Sequence, residues 1–119
     1  MKKILAIDAV GCLVNLRGKI NYKIKKLVHK FKNRKVVLTK ASDSEKKIFL
    51  KNISYQIFSL KHDPNKSSPK YFKKFLSKYK LKPEQVIYIE HDIKAVKSAQ
   101  SIGIVAHHFD GDIKNLENF

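Results

Sequence analysis

The sequence predicts an α/β domain, a doubly wound parallel sheet of five strands with helices on both faces. Three observations predict it. Short apolar runs of buried-strand type alternate with amphipathic segments along the chain, the pattern of strand-helix-strand units whose strands pair in parallel. The first run, Ile4 to Ile7, delivers a carboxylate, Asp8, into a glycine-containing turn. Two later runs end in Thr39 and Glu90, and parallel strands carry such ends to one edge of the sheet, where open α/β sheets bind ligands. By itself Asp8 is equally the start of a turn, a common place for aspartate.

After Asp8, Gly11 can take a positive φ and let the backbone approach a ligand closely. Between Tyr22 and Phe31 the apolar residues Ile24, Leu27, Val28 and Phe31 recur at helical spacing, with lysines between them. Val36-Val37-Leu38 is a buried-strand run that ends in Thr39, followed by Lys40. Ser42-Asp43-Ser44-Glu45 has capping-box spacing and predicts a helix to about Asn52. Tyr55 to Leu60 is the third strand, and the polar loop after it contains Lys66. Ser68 and Pro69 form an N-cap and first-turn pair for a helix whose apolar face is Tyr71, Phe72, Phe75 and Leu76. Val86 to Ile89 is the fourth strand, ending in Glu90-His91-Asp92, with Asp92 placed to cap a helix that stops at Gly103. Ile104 to Ala106 predicts a last short strand, and Asp110-Gly111-Asp112 a turn before a short terminal helix.

At 119 residues the chain makes one domain, 1–119, and any site must come from a single sheet and its loops. A hydrophobic content of 43% argues against disorder. No run has signal-peptide or membrane-spanning length, and a lone cysteine, Cys12, excludes an internal disulfide, so a cytoplasmic location is expected. The net charge of +16 invites a nucleic-acid reading. Yet Arg17 and Arg34 are the only arginines, and arginine is the residue of bidentate phosphate and base recognition. Lysines spread over almost every helix predict diffuse, salt-sensitive affinity for polyanions rather than a specific groove. His107 and His108, adjacent on a strand, face opposite ways and make a poor metal pair.

Taken singly, Thr39 reads as a strand-end cap, Lys66 as a loop lysine and His91 as a surface histidine. Their order along the chain resembles the haloacid dehalogenase-like superfamily over nearly its whole length. IDAVGCL resembles the family's first motif, hhhDxDGTL, with Asp8 as nucleophile and Cys12 where threonine is usual. VVLT, ending in Thr39, resembles the second; NKSSPKYF is similar to the third, KPDPxxF, with Lys66 as the lysine and Lys70 as a substitute. YIEHDIKAVKSAQSIGI resembles the fourth, YIDDxxxNVxxAxxxG, with Glu90 and His91 at its two acids.

The resemblance implies a cap-less sheet of order 3-2-1-4-5 and phosphoryl transfer through an aspartyl phosphate on Asp8. Asp8, Thr39 and Lys66 are the implied catalytic residues, and Gly11, Cys12, Thr39, Lys40 and Lys66 the implied phosphate-binding ones. Magnesium is the implied cofactor, held by Asp8, the Val10 carbonyl, Glu90 and His91. A carboxylate attacks phosphorus only when cations neutralise both partners. The family's general acid and base, two residues after the nucleophile, is here Val10, and valine cannot protonate an alkoxide leaving group. The expected function is therefore a weak or specialised hydrolase acting on a phosphorylated substrate. Without a cap the site would admit a macromolecular one. The alternative is a catalytically degenerate module that binds phosphate or a partner. Less weight goes to non-specific nucleic-acid binding on the same fold.

Overall fold

Strand β1 (Ile4–Asp8) is buried at every position and runs through the middle of the sheet. In the computed structural model, which describes residues 3–116, its neighbours are β2 (Lys35–Thr39) and β4 (Val86–Glu90). Strand β3 (Gln56–Ser59) lies beyond β2 and β5 (Val105–His108) beyond β4, giving the order 3-2-1-4-5 with every pairing parallel. The register sets Asp8 opposite Leu38 and Ile7 opposite Ile89. The ends of β1, β2 and β4 therefore open on one edge. Parallel strands need crossovers, and each crossover helix covers a face of the sheet.

Alternation along the strands divides the core into two layers. Ile4 and Ala6 of β1, with Val36, Leu38, Val86 and Tyr88, pack under α3 (Pro69–Tyr79) and α4 (Ile93–Ser101). Tyr71, Phe72 and Phe75 fill that layer with edge-to-face and tilted ring contacts. On the other face Leu5, Ile7, Val37 and Ile89 meet Ile24 and Val28 of α1 (Tyr22–Lys30), closed by Leu116. Burying each large aliphatic or aromatic side chain contributes roughly 1.5–3 kcal/mol, so both layers contribute substantially to the stability of the sheet edge that carries the polar residues.

The helix starts follow their caps. Asn21 accepts from the Ile24 amide, Ser68 from that of Lys70 and Asp92 from that of Lys94. The capping box of α2 (Asp43–Phe49) is complete: Ser42 Oγ accepts from Glu45 N at 3.3 Å, and Glu45 Oε1 from Ser42 N at 2.9 Å. Three boundaries differ from the sequence expectation. Helix α2 stops at Phe49, short of Asn52, because Leu50 leaves helical geometry and is buried while Ile53 N donates back to Leu50 O. Strand β3 is narrower than Tyr55 to Leu60. Strand β5 begins at Val105 and runs on to His108, because pairing with β4 continues through His107 and His108.

Candidate active site

The switch from one side of the sheet to the other at β1 leaves a cleft of about 330 Å³ above the strand ends. Asp8, Thr39, Lys66 and Glu90 stand along it, all buried. Val10, Lys40 and His91 line it too, whereas Lys70 is an exposed residue of α3. Among the described residues no cap domain covers it. The segment 9–21 is a compact loop whose Leu16 stands 69% exposed at the cleft's rim.

Lys66 is the hub. Its Nζ donates to Asp8 Oδ1 at 2.5 Å and Glu90 Oε1 at 2.8 Å, with Leu38 O and the Tyr88 hydroxyl each at 3.4 Å. The loop that holds it is fastened at several points. Lys61 and His62, both at positive φ, reach Asp43 and Glu45 of α2 at 3.0 and 2.5 Å, and Ser98 Oγ donates to Ser67 O at 2.6 Å. Thr39 is positioned from behind, where the Tyr71 hydroxyl donates to its carbonyl at 2.7 Å and to that of Phe58 at 3.1 Å. Its own Oγ1 accepts from Ala41 N.

Glu90 does not reach outward as a free carboxylate. Oε1 takes Lys66 and a short hydrogen bond from Tyr88, while Oε2 accepts the His91 and Asp92 amides at 3.0 and 3.1 Å. The Asp8 oxygens are engaged as well, Oδ1 by Lys66 and Oδ2 by His91 Nδ1 at 2.5 Å. His91 Nδ1 also lies 3.1 Å from Glu90 Oε2, so one imidazole nitrogen spans both carboxylates.

These contacts shift the titrating groups. The hydrogen bond to Asp8, then that to Glu90, raises His91 to about 10, so the ring is cationic at neutral pH. Burial alone would lower Lys66, but the carboxylates of Asp8 and Glu90 outweigh it and hold the ammonium above its usual value. Burial would likewise raise Glu90, yet the donors from His91 and Lys66 hold it well below the carboxylate range. Asp8 is raised, chiefly by burial, against the opposing pull of Lys66. Burial, with the charge of Asp8 beside it, pushes the Cys12 thiol far up and keeps it neutral.

One group of expected site residues is placed differently. Gly11 and Cys12 do not line this cleft: the Gly11 amide donates to Val14 O at 2.9 Å and that of Cys12 to Ala9 O at 3.3 Å, so the turn itself uses the donors assigned to phosphate. Gly11 faces His91 instead; a Cβ there would lie 2.4 Å from Nδ1, and its φ of +101° already favours glycine. The implied magnesium set of Asp8, Val10, Glu90 and His91 lines the cleft, with two of its members held by one another and by protein donors. Magnesium takes oxygens in near-octahedral array; each Glu90 oxygen takes two protein donors, whereas each Asp8 oxygen takes one. Among the described residues the His, Cys, Asp and Glu ligand atoms that gather within 4.8 Å are those of Asp8, Cys12 and His91, one oxygen, one sulfur and one nitrogen.

Sequence reasoning missed Tyr88 and Tyr71. Tyr88 had a signal, since residues two apart on a strand share a face and Glu90 follows it. Helical spacing puts Tyr71 on an apolar face, but a buried tyrosine hydroxyl needs a partner, which it finds in the Thr39 and Phe58 carbonyls.

No family profile and no curated protein matches this sequence. Solved structures do. A haloacid dehalogenase family enzyme from Bacteroides thetaiotaomicron, BT-2542, in complex with magnesium and inorganic phosphate, is similar with a TM-score of 0.72 and 16% identity, covering 94% of this chain and 96% of that one. The core domain of a proposed phosphoglycolate phosphatase from Streptococcus pneumoniae gives 0.63 and 17%, over 98% and 93%. A haloacid dehalogenase-like protein of unknown function from Agrobacterium tumefaciens gives 0.66 and 18%, over 77% and 46%. The chain has the haloacid dehalogenase-like fold.

Proposed function

We propose that the cleft receives a phosphoryl group and that Asp8 is its nucleophile, in a slow or specialised phosphoryl-transfer hydrolase. The observation that carries this reading is the contact of Lys66 with Asp8 at 2.5 Å beside Thr39. It puts a buried carboxylate, a cation and a hydroxyl where a transferring phosphoryl would need all three. Lys40 adds an exposed positive charge at the entrance. The magnesium and phosphate bound by the Bacteroides enzyme support phosphate as the ligand class.

In the first step an Asp8 oxygen forms a bond to phosphorus and the bond to the leaving group breaks, its electron pair departing with that group. Val10 has no proton to give, so the leaving group must be stable as an anion: an acyl carboxylate or an aryl oxide reacts, an alkoxide hardly does. Water then attacks the phosphoaspartate, releasing inorganic phosphate and restoring Asp8. With no base at position 10 this second step is slow, and a burst should precede the steady state. The uncovered cleft suits a phosphate carried on a macromolecule, and the basic surface, at +16, would draw such a polyanion in without selecting it.

The test is hydrolysis of acetyl phosphate and p-nitrophenyl phosphate by the wild type, Asp8→Asn and Val10→Asp. Asp8→Asn should abolish turnover of both, and Val10→Asp should speed the steady state relative to the burst. Wild-type activity indifferent to Asp8→Asn would sink the mechanism. A second reading, a degenerate module that binds phosphate without turnover, is favoured by the seating of His91 across both carboxylates. Phosphate binding with no burst on either substrate would select it.

A further inference from the structure

We infer that the His91 imidazole, a hydrogen-bonding group built into the chain, occupies the position between Asp8 and Glu90 that a divalent metal ion would take. The inference rests on the phosphoryl-site reading only for what the cleft receives; the occupancy of that position is a separate matter. Four features of the molecule converge on it.

The first is the bridge, with one nitrogen 2.5 Å from Asp8 Oδ2 and 3.1 Å from Glu90 Oε2. The ring meets Asp8 Oδ2 and Glu90 Oε2, while Lys66 meets the other oxygen of each acid, Asp8 Oδ1 and Glu90 Oε1. Each Glu90 oxygen takes two protein donors, and an ion between the two acids would have to displace the ring from Asp8 Oδ2. The second is the seat. A side chain at Gly11 would come within 2.4 Å of Nδ1 and 2.6 Å of Cε1 and Cγ, so the ring occupies space that only glycine leaves open.

The third is the tether. The His91 amide donates to Glu90 Oε2 at 3.0 Å and its carbonyl accepts from His108 Nε2 at 2.8 Å, which fixes the backbone from which the ring projects. The fourth is the donor chemistry. Magnesium retains waters and takes oxygen, whereas the gathered ligand atoms at this position are mixed and include a neutral, buried thiol.

The experiment uses the full chain, treated with EDTA and dialysed, and follows Tm and calorimetric heats on adding magnesium chloride, zinc chloride or inorganic phosphate. Neither metal should give a saturable shift in the wild type. His91→Asp, which exchanges the ring for a carboxylate beside Glu90, should gain a saturable rise in Tm of several degrees with millimolar magnesium. Because that variant could fail to fold, the wild type is also followed by imidazole 15N–1H correlation, in which a protected His91 Nδ1 proton should persist unchanged in magnesium. A saturable magnesium response in the wild type, loss of the Nδ1 proton on adding magnesium, or zinc binding that Cys12→Ser removes would each overturn the inference. A chain that ignores both metals and phosphate upholds it, while counting against the phosphoryl-site reading.

Discussion

The two halves of the cleft differ in what the fold delivers and what the chain does with it. On the side of β2 and β3, Thr39 and Lys66 line the cleft, and Lys66 joins both carboxylates. On the side of β4 the strand end is equally well formed, but its polar groups are turned on one another: Glu90 takes protein donors on both oxygens and His91 spans the gap to Asp8. The difference teaches that strand ends preserve a place more faithfully than a reaction. Fold similarity at 16% identity carries the place alone.

Three substitutions test that contrast. The largest effect is expected from Lys66→Met, which strips the buried cation from Asp8 and Glu90 and leaves carboxylates without their shared donor. Breaking a buried pair in this way costs about 3–5 kcal/mol, to be read from urea unfolding. A loss under about 1 kcal/mol would mean that the half resembling the motifs is no better knit than a surface pair.

Gly11→Ala comes next. It imposes a side chain at φ +101° and drives a methyl into the His91 ring, and the backbone strain alone costs roughly 1–3 kcal/mol. The additional steric part should vanish in a His91→Ala background, so a double-mutant cycle should show coupling between the two sites. Strict additivity would unseat the ring from Gly11.

The smallest effect is a pH profile. The folded pKa of His91, about 10, is raised above the ordinary histidine value. Its contribution is therefore fully present below the unfolded pKa, near 6.5, and is lost as pH rises through the folded value. Unfolding free energy of the wild type relative to His91→Ala should decline from about pH 6.5 to about pH 10. A difference that stays flat across that window would place the ring in solvent.

The architecture was legible because it depends on averages. Ile4 to Ile7, Val36 to Leu38 and Val86 to Ile89 are apolar runs that no local change can hide, and Ser42, Ser68 and Asp92 mark helix starts by one side-chain acceptor each. Asp8 and Lys66 were legible as a pair through their motifs. The direction of the His91 ring was not, because it depends on an absent Cβ at Gly11, distant in sequence, and on where Glu90 spends its lone pairs. Nor did glycine and cysteine after Asp8 reveal that the turn would consume their amides. Leu50 ended α2 early for a similar reason, its burial overriding helix propensity.

The ionic cluster also bears on when the chain becomes committed to its shape. Its contacts join residues 58 positions apart at Lys66 and Asp8, and 83 apart at His91 and Asp8. Closing such long loops is entropically unfavourable before the intervening strands are in register. The cluster therefore belongs to the last stage of assembly, after the sheet has brought β1, β2 and β4 together. Interactions formed that late are absent from the folding barrier, so they act as a latch that slows escape from the native state while leaving the rate of reaching it almost untouched.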